Sequence, residues 1–167
     1  MNRGRSQEGV TIMNIFWFHR NLRKCAEMHP NKYTVKMLLE YAQMLCTVKH
    51  MHGEPVAYKP THRKHPCVVW LNRSSDNWYV LQRLAYFLNQ EYKFRYNKTV
   101  NHKSYDVIKD MKAPLGLQSR GITLLPQAMP DEYKDEEDAV VAYRRYFIND
   151  KRHLADWGRR GAPEWYE

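Results

Sequence analysis

One predicted helix carries polar side chains whose types and spacing could do chemistry. Between His29 and Leu45 these polar residues recur at intervals of four, four and three positions. At 3.6 residues per turn, such intervals place all of them on one face of a helix. The residues of this stripe are Lys32, Lys36, Glu40 and Gln43.

A carboxylate held among cations keeps a low pKa and can stabilise a positive charge that develops during a reaction. On this basis Glu40 is the candidate catalytic carboxylate. The alternative is a simple ion pair between Lys36 and Glu40 on a solvated helix face, worth ~0.3–0.5 kcal/mol.

A second cluster of cations, hydroxyls and imidazoles lies in a loop that ends near Pro66. Phosphate contacts need such donors, and a helix N-terminus near Pro66 would add backbone N–H groups. The candidate nucleic-acid contacts on the helix are Lys32, Tyr33 and Gln43, and those in the loop are Lys59, Thr61, His62, Arg63, Lys64 and His65.

The same loop contains three residues that ligate metals in other proteins, His62, His65 and Cys67. Their HxxHxC spacing lacks a matching second pair of ligands. We therefore expect no metal site and no cofactor, and the alternative role for the histidines is to bond loop carbonyls.

Composition indicates a basic globular chain with an anionic partner. The 167 residues fit one domain, and 43% are hydrophobic. Lysine and arginine number 27 against 18 acidic residues, which gives a net charge of +9. This excess favours nucleic acid or another anionic partner, and DNA is the partner that we expect. Aromatic residues reach 13% and suit either stacking on bases or an ordinary core.

Three cysteines without CxxC spacing argue against a disulfide framework and a structural zinc site. Cys25, Cys46 and Cys67 have apolar neighbours and are predicted to be buried thiols. The reducing cytoplasm is the simplest compartment. No stretch of ~18 apolar residues occurs, so we expect no membrane span.

The pattern of apolar residues and breakers predicts an all-α fold. We expect a disordered leader over residues 1–12 and a single helical domain over residues 13–167, a compact bundle with long ordered loops. On the second helix, Leu38, Leu39 and Leu45 are predicted to face the core. Helices are predicted over 22–28, 31–50, 67–72, 76–96, 104–111 and 135–149, with a long loop over 112–130 and a C-terminal strap over 152–167.

Two resemblances extend these expectations. Six segments, "MNIFWF", "HPNKYTVKMLLEYAQMLCT", "YKPTHRKHPCVVW", "QAMPDEYK", "AYRRYF" and "PEWY", resemble a family of uncharacterised proteins of bacteriophages and bacteria. The helix with Lys32, Lys36, Glu40 and Gln43, followed by His65 and a long helix, resembles the pyrimidine-dimer DNA glycosylase superfamily of phage endonuclease V type.

The second resemblance implies a compact helical enzyme that flips a base out of DNA. It implies glycosidic bond cleavage followed by β-elimination at the abasic site, without a metal. Glu40 falls at the position of the family's catalytic glutamate. It also implies the cytoplasm of a bacterial host, if the chain is encoded by a phage.

The chain departs from that family in its nucleophile. The family uses an N-terminal α-amine, whereas the α-amine of Met1 lies twelve residues before the predicted domain. Lys36 could substitute if burial lowered its pKa. Two alternatives to a glycosylase or lyase therefore stay open, namely a DNA-binding protein without catalysis and a protein that binds or modifies a small anionic metabolite.

Overall fold

The computed structural model describes residues 13–166, so the expected leader over residues 1–12 lies outside the described part. Within residues 13–166 the chain forms helices and contains no strand, which confirms the all-α prediction. The α-helices are α1 (Leu22–Glu27), α2 (Asn31–Met51), α3 (Pro66–Leu71), α4 (Ser75–Arg95), α5 (Lys103–Ile108) and α6 (Ala139–Asp150). Three single turns of 3-10 helix cover Asp131–Tyr133, Arg152–Leu154 and Gly158–Arg160.

Two long helices, α2 and α4, pack against each other and form the centre of the molecule. Their beginnings follow from the residues that precede them. Pro30 precedes α2, and the Ser74 hydroxyl caps α4 by accepting from the Asp76 N–H at 3.2 Å. Likewise, Asn21 Oδ1 accepts from the Lys24 N–H at 3.0 Å and caps α1, as the sequence predicts.

The last long helix begins four residues later than predicted. The sequence places its start at Asp135, but the carboxylate of Asp135 accepts hydrogen bonds from the N–H groups of Glu137 and Asp138, at 3.0 and 2.9 Å. These bonds hold a turn before the helix. The carboxylate of Asp138 then caps α6 by accepting from the Val140 N–H at 2.9 Å.

The segment 13–18 runs through the core in an extended form, with all six residues buried. The side chain of Asn14 fixes its position. Asn14 Oδ1 accepts from the Tyr143 hydroxyl at 2.7 Å, and its Nδ2 donates to the Ala128 carbonyl at 2.8 Å. The extended segment is thus tied to α6 and to the end of the long loop, which places the backbone of Met13 beside α2 and α3.

The C-terminal strap packs through its two tryptophans, as predicted. Trp157 donates its indole N–H to the Met28 carbonyl at 2.8 Å. The ring of Trp165 stacks on Phe18 with centroids 5.3 Å apart. All six α-helices contribute to one continuous hydrophobic core. No helix of residues 13–166 is both long and apolar enough to cross a membrane.

A buried ion cluster joins the strap to α4. Glu91 accepts from Arg95 Nε at 2.9 Å and from Arg160 Nη2 at 2.5 Å. Arg95 also donates to the carbonyls of Glu27 and His29, at 2.8 Å for Glu27. The side chain of Arg95 is 1% exposed and that of Glu91 is 7% exposed, so each charge depends on the other for compensation.

We predict that Glu91→Ala destabilises the protein by about 3–5 kcal/mol, because it leaves the buried guanidinium of Arg95 without a counter-charge. Urea unfolding measures the free energy. Arg23→Ala is the matched control, since it removes an exposed pair with Glu27, and its effect should stay within about 0.5 kcal/mol. Equal effects of the two substitutions would contradict the role assigned to Glu91.

Candidate functional site

The most unusual feature of α2 is that a carboxylate and a leucine have exchanged their expected environments. Glu40 is 1% exposed, whereas the adjacent Leu39 is 44% exposed. The sequence-based prediction that Leu39 faces the core is therefore wrong. Lys32 and Lys36 of the polar stripe are exposed, as expected for a solvated face. Glu40 belongs to the same stripe but is buried.

Glu40 lies in a buried environment of phenols and a thiol. Tyr33, Tyr41 and Cys67 are all buried. Burial is the largest cause that raises the pKa of each of these groups, and the negative charge of Glu40 raises it further. Within residues 13–166, no hydrogen-bond partner reaches Glu40 Oε1 or the buried hydroxyl of Tyr41. Buried polar atoms without partners cost free energy, and Glu40 is the one carboxyl group among the five such atoms in the described residues, which makes it a candidate for a functional role.

Burial raises the pKa of Glu40 to about 7, and the charge of Lys36 opposes this shift without cancelling it. The expectation of a low pKa among cations is therefore wrong. The reason is that desolvation of the carboxylate outweighs the attraction of one exposed ammonium group. A carboxyl group with a pKa near neutrality is populated in both protonation states and can act as a general acid or base.

Lys36 itself is exposed, as is Lys32 one turn earlier. The burial that a nucleophilic role of Lys36 requires is not found. Both lysines line a cavity of about 690 Å³ between the start of α2 and the strap, together with Tyr96 and His153. Asp156 lines the same cavity, so its carboxylate offsets part of the positive charge that the two lysines provide there.

The basic loop is held against α2 by one threonine. The N–H of Thr61 donates to Thr47 Oγ1 at 3.1 Å, and the Thr47 hydroxyl donates to the Gln43 carbonyl at 2.7 Å. Beyond this anchor the chain turns at His62, whose φ is +51°. The loop therefore presents its cations outward, and the exposed ones are Lys59, His62, Arg63 and Lys64.

A cavity of about 430 Å³ separates the loop from α2. Gln43 and Leu39 line it from α2, and the buried residue Met13 lines it from the extended segment. Lys59, Thr61 and His62 line it from the loop. Glu40 is not among its lining residues, although it directly follows Leu39 and lies one helical turn before Gln43.

Two predicted nucleic-acid contacts have structural roles instead. Tyr33 is 5% exposed, and its ring lies 4.7 Å from that of Phe16, so it is not open to stacking on a base. His65 caps α3, because its Nδ1 accepts from the Cys67 N–H at 3.1 Å. Burial lowers the pKa of His65, the neighbouring His62 lowers it further, and a backbone hydrogen bond with Met13 opposes both.

Tyr41, Asn14 and the backbone of Met13 belong to the surroundings of the site and do not follow from the sequence pattern. From the sequence alone, Tyr41 is interpreted as an aromatic residue of the core. Asn14 is interpreted as a single polar residue in an apolar run. A buried asparagine in such a run is a weak signal, since it indicates a hydrogen-bond network but not its members.

All three cysteines are buried free thiols, as predicted. Burial raises the pKa of Cys25 to about 11 and that of Cys67 to about 12. Both therefore stay protonated thiols at neutral pH, and neither acts as a nucleophile. Within residues 13–166 no group of three or more His, Cys, Asp or Glu side chains is arranged to hold a metal ion.

No protein-family model matches this chain, and no curated protein or solved structure shows significant similarity to it. The function is therefore argued from the geometry and electrostatics of the site.

We predict that Glu40→Gln stabilises the protein at pH 8 and has little effect at pH 5. In the folded protein the pKa of Glu40 lies near 7, above its ordinary value of 4.5. The contribution of this carboxyl group to the free energy of unfolding is therefore fully present below pH 4.5. That contribution is lost as the pH rises through 7, because the buried group must ionise. The rise of the pKa from 4.5 to about 7 corresponds to a loss of at most about 3 kcal/mol in the free energy of unfolding at pH 8.

Urea unfolding at both pH values measures this effect. Glu132→Gln is the control because Glu132 is exposed, and its effect should be the same at pH 5 and pH 8. If Glu40→Gln also had the same effect at both values, the raised pKa of Glu40 would be refuted.

Proposed function

We propose that the protein binds DNA and acts on a damaged or modified base through Glu40. The observation that carries the proposal is a buried carboxyl group with a pKa near 7, one oxygen of which has no hydrogen-bond partner within residues 13–166, on a helix with exposed lysines. Ion pairs with acidic residues do not account for these cations, since Lys32, Lys36, Lys59, Arg63 and Lys64 form none within residues 13–166.

The chemistry follows from the two protonation states of Glu40. In cleavage of an N-glycosidic bond, the bond between sugar C1′ and the base nitrogen breaks, and the base leaves with the electron pair. Protonated Glu40 can give the leaving base a proton, and ionised Glu40 can stabilise the positive charge that develops on the sugar. Water or an amine then bonds to C1′.

The phosphates of the same DNA would lie on the cations around the site. Lys32 and Lys36 lie along α2, and Lys59, Arg63 and Lys64 lie on the anchored loop. Contacts of this kind position DNA without reading its sequence, and they release counterions. Since Glu40 is buried, a substrate must displace side chains to reach it. Leu39 and Gln43 lie near Glu40 on α2 and line the cavity, so they are the side chains that we expect to move.

A second candidate function is the binding of a small anionic metabolite in the cavity beside α2. Its volume of about 430 Å³ and its lining by Gln43, Lys59 and His62 favour this alternative. A thermal shift with mononucleotides, in the absence of any DNA binding, would support it.

We predict that Glu40→Gln abolishes the reaction with DNA but leaves binding intact, because the amide neither donates a carboxyl proton nor carries a charge. The substrates are duplexes with an abasic site or with a pyrimidine dimer, and the readouts are strand nicking and borohydride trapping of a Schiff base. Fluorescence anisotropy measures binding to the same duplexes. Glu132→Gln is the control and should react like the parent protein.

Binding without base release, assayed as alkali-labile strand breaks, and without nicking or trapping on any substrate would refute the catalytic part and leave a DNA-binding protein. Absence of binding to duplex, single-stranded and abasic DNA at low salt would refute both parts.

We also predict that replacing Lys59, Arg63 and Lys64 together by glutamine weakens DNA binding and lowers its salt dependence. Each lost phosphate contact should reduce the slope of log K against log salt by about 0.9 for duplex DNA. Lys98→Gln is the control, since Lys98 is exposed and lies beyond the end of α4. An unchanged slope in the triple variant would show that the loop does not contact DNA.

A further inference from the structure

A second cationic cleft lies where α2 and α3 end and α4 begins. Its volume is about 550 Å³. Two arginines line it, Arg73 just after α3 and Arg120 from the long loop. His52, the C-cap of α2, and Gln118 also line it. Of the residues that the structure describes, no acidic one lines this cleft.

The two guanidinium groups have no counter-charge in the described part of the chain. Neither Arg73 nor Arg120 forms an ion pair there. Within residues 13–166 the one side-chain hydrogen bond of Arg120 joins its Nη2 to Gln118 Oε1 at 3.5 Å, which is long. Exposed like-charged groups that share a cleft repel each other, so an anion between them would be favoured.

The carboxylates of the surrounding elements are engaged elsewhere. Glu54 pairs with Lys49 at 3.1 Å and accepts from the Leu115 N–H at 3.0 Å. Asp76 accepts from the Ser119 hydroxyl at 2.6 Å and from the Gly121 N–H at 2.8 Å, and it lines a different cavity. Lys49 thus compensates the charge of Glu54, and the bonds of Asp76, all to its Oδ2, hold that carboxylate against the loop rather than against an arginine.

The backbone that carries Arg120 is fixed in place against the start of α4. The Arg120 N–H donates to Ser74 Oγ at 3.0 Å, and the Ser75 N–H donates to the Gln118 carbonyl at 3.0 Å. Three residues after Arg120, the Thr123 N–H donates to Asn77 Oδ1 at 3.0 Å. The loop is therefore pre-organised, and little ordering remains to oppose binding.

The opposite wall of the cleft is equally well defined. His52 Nε2 lies 2.7 Å from Asn72 Oδ1, which orients the imidazole ring. At Gly116 the loop passes so close to this ring that a Cβ would lie 3.1 Å from His52 Nδ1. A side chain at position 116 would therefore press on the ring and disturb the cleft.

We propose that this cleft binds a phosphate group, with Arg73 and Arg120 as its charged ligands. Guanidinium groups offer forked N–H donors that match the oxygens of a phosphate. The phosphate could belong to a DNA backbone or be free in solution, and the chemistry of recognition is the same. The proposal is independent of Glu40 and of the basic loop, so it stands or falls separately from the proposed function.

Thermal unfolding in inorganic phosphate, compared with chloride at equal ionic strength, tests the site. Phosphate should raise the midpoint of the parent protein, because a ligand that binds only the folded state stabilises it. The effect should disappear in the double variant Arg73→Gln with Arg120→Gln. Lys98→Gln serves as a control that removes one positive charge at the opposite end of α4, roughly 30 Å away, and should keep the effect.

Anisotropy with an oligothymidylate that lacks terminal phosphates identifies the source of the phosphate. If the cleft takes the DNA backbone, the double variant should lower the salt slope by about 1.4, the value for two contacts on a single strand. If the double variant loses the stabilisation by inorganic phosphate but keeps the salt slope of the parent protein, the site takes a free phosphate group. Either result supports the site.

The site is refuted if the double variant keeps the stabilisation by phosphate, or if the parent protein shows neither stabilisation by phosphate nor a slope different from that of the double variant. Circular dichroism checks that the double variant is folded. If it is not, Arg73→Lys with Arg120→Lys replaces it, which keeps the charge and removes the fork. The phosphate effect should then be weakened, and an undiminished effect would again refute the site.

Discussion

The structure depends on the burial of α2, because α3, α4, α5 and the segment 13–18 are all arranged around this helix. Twelve of its 21 residues are buried. A helix that lay on the surface would bury one stripe only, whereas α2 is covered by α3, α4 and α5 and by the extended segment 13–18. Covering so much of one helix removes water from positions that an amphipathic pattern would leave solvated, and Glu40 is one of them.

The buried carboxyl group and the cations near it are two consequences of the same arrangement. Desolvation shifts the pKa of Glu40 toward neutrality, which a solvated carboxylate beside Lys36 would not show. The lysines stay in water because their long side chains reach the surface. A group that can exchange protons thus lies behind a surface that attracts anions, and this combination is what a reaction on DNA requires.

The ordered loops place the remaining chemistry. The loop after α2 is anchored through Thr47 and Thr61, and the long loop before α6 is anchored on Ser74, Asp76 and Asn77. In both cases, buried or half-buried polar side chains of a helix accept the hydrogen bonds of the loop backbone. Cations on these loops are therefore held at defined positions, one set beside α2 and the other beside Arg73.

The sequence by itself determined the helices and their order, because these depend on local signals. Asn21 and Ser74 are good caps, Pro30 precedes a helix well, and apolar residues recur at helical spacing, so most boundaries were predicted within two residues. Glu40 could be selected as a candidate from its spacing and from a family resemblance. The start of α6 was missed because the side chain of Asp135 bonds its own backbone neighbours, a local competition that helical spacing does not show.

Only the tertiary structure decided the environment of each candidate. Leu39 and Glu40 are neighbours on one helix, and which of them meets water depends on where the segment 13–18 and α3 pack. The same packing buried Tyr33 and made His65 a helix cap, although both lie among residues that read as DNA contacts. Burial and charge compensation arise from contacts between residues far apart in the chain, so a periodic pattern specifies the faces of a helix but not which face loses water.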